Sequence, residues 1–161
     1  MSRAFVKEDA DADPVVVPAR APLPDGVPNR VTPEGLAALE RERAALEADL
    51  ERARHEADPR SEAAAVGQLE AVRARLASAQ VVQLHDPPEV VDVGVAVVLR
   101  RSGGATVRFR VVGVDEADPA SGRVAFTAPV AAAALGKRVG ERFTAHVGDR
   151  ESEFEVVGLE R

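Results

Sequence analysis

The chain of 161 residues contains no cysteine, no tryptophan and no tyrosine. Without thiols it can form neither a disulfide framework nor a thiolate metal site, and three scattered histidines argue against a zinc site. Aromatic residues make up only 3% of the sequence, which leaves few of the stacking surfaces that binders of single-stranded RNA use. We therefore expect no metal site, no cofactor of its own and no sequence-specific reading of nucleic acid.

Long apolar runs and a surplus of positive charge are also missing. Nowhere do about 18 apolar residues follow one another, and residues 1–10 lack the apolar core of a secretory signal, so we expect a cytoplasmic protein without membrane contact. The formal net charge of −6 argues against broad electrostatic binding to DNA or RNA. A protein partner fits this composition better.

Residues 1–30 contain five prolines among acidic residues and a short valine run. This composition predicts a disordered or extended tail. After it, Thr32 supplies an N-cap oxygen, Pro33 suits the first helical position and Glu34 favours the helix dipole. A helix is expected to begin here, and its apolar seam consists of Leu36, Leu39, Leu46 and Leu50.

A second apolar seam follows Asp58-Pro59 and consists of Val66, Leu69, Val72 and Leu76. Because the connection is short, the two helices are predicted to fold back as an antiparallel coiled coil over residues 31–80. Asp58-Pro59 then forms the exposed tip. We expect a monomer, since a folded-back hairpin covers its own seam, whereas a coiled-coil adaptor without this arrangement would self-associate.

Residues 81–161 change to the alternating pattern of strands. Five strands are predicted, together with a short helix at residues 131–135, and the domain is expected to be α+β with a mainly antiparallel sheet. The predicted strands are Val93 to Leu99, Ala105 to Val114, Arg123 to Thr127, Arg142 to Val147 and Ser152 to Leu159.

Three stretches of this domain resemble motifs of the GreA/GreB family of bacterial transcription factors. They are FRVVGVDEAD at residues 109–118, APVAAAALGK at residues 128–137 and FEVV at residues 154–157. The resemblance implies an FKBP-like domain that binds the rim of the RNA polymerase secondary channel while the hairpin enters the channel. It marks Phe126, Pro129 and Leu135 as candidate docking residues.

The resemblance also implies that the chain is not itself an enzyme. Factors of this family help a backtracked polymerase to cleave the extruded RNA 3′ end, and carboxylates at the tip help to hold the polymerase's Mg²⁺. Asp58 and Glu62 are the candidates here. The family pattern is an Asp, two residues, then Glu-Asn, whereas this chain has Ser61 at the Glu position and Glu62 at the Asn position. Asp58 is equally explained as a helix N-cap.

Two alternatives remain open at this stage. Each arm is shorter than in the cleavage factors by about a heptad, or ~10 Å of helix. In this feature the chain resembles Rnk, a relative that binds polymerase without promoting cleavage. The first alternative is therefore a Rnk-like or anti-Gre regulator, which would bind the channel without promoting cleavage. A more remote alternative is a prolyl isomerase, because the domain is FKBP-like, although it lacks the Tyr and Trp of an aromatic-walled pocket.

Overall fold

The computed structural model describes residues 20–161, so residues 1–19 of the predicted tail lie outside the described residues. The first strand, β1 (Asn29–Val31), precedes helices α1 (Pro33–His55) and α2 (Pro59–Ser78). Strand β2 (Ala79–Val81) follows and pairs in parallel with β1. The last two residues of the predicted tail thus lie in a strand that closes the base of the hairpin.

The two helices form the predicted antiparallel pair. Thr32 caps α1, since its hydroxyl oxygen accepts a hydrogen bond from the backbone N–H of Gly35 at 2.9 Å. At 1.5 Å per residue, the 23 residues of α1 extend about 34 Å. The buried seam consists of Leu39, Leu46, Leu50 and Ala53 on α1 and Ala65, Leu69 and Val72 on α2. Within residues 20–161, no helix is both long and apolar enough to cross a membrane.

The turn at the tip is three residues long. Glu56 caps the C-terminus of α1, and Ala57 has a φ of 52°, in the left-handed region. The N–H of Asp58 donates to the carbonyl oxygen of Ala53 at 2.9 Å, which closes the last turn of α1. Asp58 then caps α2 ahead of Pro59. Asp58 therefore both ends the turn between the helices and begins α2.

A five-stranded sheet forms the C-terminal domain. Its strands stand in the order β5-β4-β3-β7-β6, and helix α3 (Pro129–Ala134) packs on β6. The strands are β3 (Ala96–Arg101), β4 (Thr106–Val112), β5 (Arg123–Ala125), β6 (Arg142–Val147) and β7 (Arg150–Glu160).

The predicted fold class, a helical hairpin followed by a β-rich domain, is confirmed, with one difference in the sheet. Strands β4 and β5 run parallel, whereas the other neighbouring pairs are antiparallel. The ten residues between them contain two short 3₁₀ turns, which bring the chain back so that β5 pairs with the last three residues of β4. The core is built mainly from Val97, Leu99, Phe109, Val111, Phe126, Phe154 and Val156.

The left-handed backbone at Ala57 yields a stability prediction. An alanine in this region is strained, whereas glycine adopts it freely. We expect Ala57→Gly to raise the free energy of unfolding by about 0.5–1 kcal/mol. The matched control, Ala48→Gly on the exposed side of α1, should lower it by about 1 kcal/mol. Urea unfolding followed by circular dichroism measures both, and equal losses in the two variants would contradict this account.

Candidate functional site

Asp58 lies at the tip, and its carboxylate is turned towards the first turn of α2. Oδ1 accepts hydrogen bonds from the backbone N–H groups of Arg60 and Ser61, both at 3.1 Å. Oδ2 accepts one from the Ser61 hydroxyl at 2.6 Å. The Ser61 hydroxyl and these amides stabilise the charged form, so they hold the pKa of Asp58 below its usual value. Asp58 is therefore an ionised helix cap at neutral pH.

Glu62, the second predicted tip residue, pairs with the opposite helix. Its Oε1 accepts a hydrogen bond from Arg54 Nε at 3.0 Å, and Arg54 also contacts Glu51 at 3.0 Å. The hydrogen bond to Glu62 raises the pKa of Arg54 further above its ordinary value. Glu62 thus links the beginning of α2 to the end of α1, in an exposed position where such a pair contributes little stability.

The two tip carboxylates do not form a prearranged metal site. The carboxylate of Asp58 accepts the hydrogen bonds that cap α2, and the carboxylate of Glu62 is paired with Arg54. In the part of the chain that the structure describes, no three His, Cys, Asp or Glu side chains gather closely enough to hold a metal ion. Assistance to the polymerase's Mg²⁺ by Asp58 and Glu62 therefore stays a prediction from the resemblance, and no step through a metal follows from the geometry of this chain.

The predicted docking residues lie in different environments. Phe126 is 4% exposed in the core and offers no surface for a partner. Leu135 is partly buried against the same core, while Pro129 is exposed at the start of α3. Of the three, only Pro129 is fully available for contact. A resemblance to a family motif does not reveal which of its side chains point into the core.

An apolar groove of about 370 Å³ opens between β4 and α3, where Val130, the residue after Pro129, lines it. Val107 and Val147, which are 44% and 45% exposed, lie at its mouth. Arg101 lies at the rim, 5.9 Å from the centre of the Phe154 ring, and Arg108 is close by. The other apolar lining residues are Ala105, Phe109, Pro119, Val124 and Val130. The sequence pattern marked Val107 and Val147 only as strand residues.

The base of the hairpin is held by Glu116, from the turn after β4. Its carboxylate accepts hydrogen bonds from the Thr32 N–H at 3.1 Å, from the Thr32 hydroxyl and from the Gly113 N–H at 3.0 Å. Gly35 makes room for it, since a Cβ there would overlap the carboxylate. The DEAD stretch thus joins the domain to the start of α1, a role that the motif alone did not indicate.

Asp115 makes a second connection, to α2 and to the segment before the hairpin. Arg20 Nη1 lies 2.9 Å from its Oδ1 and Arg75 Nε lies 3.3 Å from its Oδ2. Arg20 also pairs with Glu42 on α1. Burial alone lowers the pKa of Arg20, but its hydrogen bonds to Asp115 and Glu42 outweigh burial and raise it. Arg20 therefore keeps its positive charge at neutral pH.

The family model and the curated relatives that match this chain name the same kind of protein. Residues 86–161 match the family described as "Transcription elongation factor, GreA/GreB, C-term". GreA of Methylococcus capsulatus is 31% identical over 96 residues, which cover 58% of this chain and 61% of that protein. GreA of Desulfovibrio desulfuricans is 28% identical over 138 residues, covering 78% and 85%. The first of these alignments thus spans about three fifths of the relative's length.

Solved structures of similar proteins include the GreA factor homolog Gfh1 of Thermus thermophilus. It is 24% identical, with 82% of this chain and 98% of that chain covered, and the TM-score is 0.42. A GreA/GreB factor from Nitrosomonas europaea is 21% identical, with coverage of 82% and 98% and the same TM-score.

The contact between Gly35 and Glu116 is testable. Alanine at position 35 favours helix formation, but its Cβ forces Glu116 away from Thr32 and Gly113. We expect Gly35→Ala to lower the free energy of unfolding by about 1–2 kcal/mol net. Unfolding in urea measures the change, with Ala38→Gly, exposed on the same helix, as a control for helix propensity. A stabilised Gly35→Ala variant would show that Glu116 does not need this space.

Proposed function

We propose that this chain, whose residues 86–161 match the GreA/GreB family of transcription elongation factors, acts as a member of that family: it binds RNA polymerase at the secondary channel and regulates elongation. The observation that carries the proposal is the match over residues 86–161, which spans nearly the whole sheet domain. The hairpin adds a fitting shape. Its helices extend about 34 Å, and its tip ends in a three-residue turn.

In this proposal the sheet domain docks on the polymerase and the hairpin enters the channel. The sheet domain presents Pro129 and the apolar groove with Val107 and Val147, whereas the tip presents charged side chains. Exposed apolar patches with a polar rim are typical of protein interfaces. Arg101, which has a serine and an aromatic ring as its contacts, adds positive charge at that rim. An acidic and apolar surface of the polymerase would complement the groove.

The tip geometry favours occupation of the channel over stimulation of cleavage. Asp58 is committed to capping α2, and Glu62 is paired with Arg54. Recruiting both carboxylates to a metal requires breaking the cap and the ion pair. The Rnk-like or anti-Gre alternative, a regulator that binds the channel without promoting cleavage, is therefore the form of the proposal that this geometry supports best.

The remote alternative, prolyl isomerisation, has one feature in its favour. The apolar groove has Phe109 and Phe154 at its floor, but both rings are mostly buried. The groove thus lacks an open aromatic wall. Clear catalysis of proline isomerisation in a peptide by the purified chain would establish this alternative in place of a binding role.

Binding to core RNA polymerase tests the proposal and its docking surface together. We expect the parent chain to bind at micromolar concentration or tighter, and Val107→Asp to weaken binding at least about tenfold by placing a charge in the apolar contact. Val139→Asp is the matched control, because Val139 is 57% exposed and does not line the groove. It should change affinity less than about twofold. No binding of the parent chain would refute the function, and equal effects of the two variants would exclude the groove.

Asp58 yields a prediction that separates capping from chemistry. Asn at this position still accepts the two N–H bonds, whereas Ala removes the cap. Because the folded pKa of Asp58 is lowered, its stabilising effect is present above the ordinary Asp pKa and is lost as pH falls through the folded value. Protection of the Arg60 and Ser61 amides from exchange, relative to their intrinsic rates at each pH, should therefore fall at acid pH in the parent chain and be low at all pH values in Asp58→Ala. In Asp58→Asn it should not depend on this protonation.

The same variants distinguish the two forms of the function on stalled, backtracked complexes. We expect neither Asp58→Asn nor the parent chain to shorten the RNA. Shortening by the parent chain that disappears in Asp58→Asn, with the helix cap intact, would establish Asp58 as a residue that acts in cleavage.

A further inference from the structure

An ion-pair network with one central carboxylate joins three segments of the chain. Asp115, from the sheet domain, lies between Arg75 near the end of α2 and Arg20 from the segment before β1. The Asp115 side chain is only 7% exposed, and both arginines are largely covered. Electrostatic pairs are stronger and less screened when they are shielded from water. Loss of one partner would leave a poorly solvated charge.

Arg75 also holds the preceding segment through its other groups. Its side chain donates a hydrogen bond to the carbonyl oxygen of Ala21, and its own carbonyl accepts one from the buried Asn29 Nδ2 at 2.9 Å. Leu23 and Val27, between these points, pack against the core of the sheet domain. Residues 20–29 therefore form a strap that runs between the hairpin and the domain. Arg75 of α2 holds this strap near both of its ends.

The neighbouring residues Asp115 and Glu116 hold different helices. Glu116 binds Thr32 at the start of α1, while Asp115 binds Arg75 near the end of α2. Attachments on two helices, together with the ion pair between Arg30 of β1 and Asp92, resist rotation of the hairpin about its base. At a hairpin length of about 34 Å, a rotation of about 10° at the base displaces the tip by about 6 Å.

We propose that Asp115 is a positioning residue: by pairing with Arg75 and Arg20 it fixes the direction of the hairpin relative to the sheet domain. In the polymerase complex it thereby sets where the tip arrives once the domain has docked. This last part rests on the proposed function, whereas the fixed direction is a property of the free protein. Asp115 acts through the hairpin and touches no substrate.

Distance measurement in the free protein tests the first part. Since the chain has no cysteine, Arg60→Cys at the tip and Asp149→Cys in the exposed β6–β7 turn give one pair of spin labels. Pulsed electron spin resonance should show one narrow distance in the parent chain. Asp115→Asn, which keeps the shape and removes the charge, should at least double the width or shift the mean by several ångströms.

The control is Asp118→Asn, a nearby carboxylate that contacts Ser121 and Arg123 and no residue of the hairpin. It should leave the distance unchanged. Arg20→Gln gives a second, milder variant in case Asp115→Asn fails to fold, and it should widen the distribution in the same direction. A parent-like distribution in a folded Asp115→Asn, or in Arg20→Gln if the former does not fold, overturns the proposal.

Polymerase assays test the second part and separate the two proposals. With the docking surface unchanged, Asp115→Asn should keep its half-saturating concentration within twofold, while its maximal effect on elongation falls at least fivefold. A parallel loss of binding would indicate that Asp115 belongs to the docking contact and would overturn its positioning role. Absence of any polymerase binding by the parent chain would refute the proposed function, and the distance measurement would still decide whether Asp115 orients the hairpin.

Discussion

Two adjacent carboxylates hold the base of a long hairpin against a small sheet domain. Glu116 accepts hydrogen bonds from Thr32 at the start of α1, and Asp115 pairs with Arg75 near the end of α2. Helix packing within the hairpin determines its own shape but not its direction. That direction depends on the turn after β4, on the space left at Gly35 and on the strap that begins at Arg20.

The tip and the domain differ in the kind of surface they offer. At the tip, the carboxylates of Asp58 and Glu62 are used to begin α2 and to tie it to α1. On the domain, Val107 and Val147 remain open at the mouth of a groove. In the proposed function, the molecule binds through its domain and contributes length and charge through its hairpin. This division of roles suits a factor that occupies a channel.

Much of this architecture could be predicted from the sequence, and the failures have physical causes. The cap at Thr32 and the leucine seam predicted the helices, because both signals are local. Strands β1 and β2 were missed, since three residues carry no period, and the parallel pairing of β4 with β5 depends on the path of the connection. Phe126 was a docking candidate, yet it is buried, because a motif does not show which way a side chain points. The roles of Asp115 and Glu116 depend on partners about 40 to 95 residues away in the chain, which no local pattern reveals.

In the proposed function, the hairpin enters the secondary channel while the sheet domain stays at its rim. Placing a photoreactive benzoylphenylalanine at position 60, beside the tip, tests it in the complex with core RNA polymerase. The account predicts crosslinks to polymerase segments that line the secondary channel. Crosslinks from a bound complex only to the outer surface of the polymerase would contradict it.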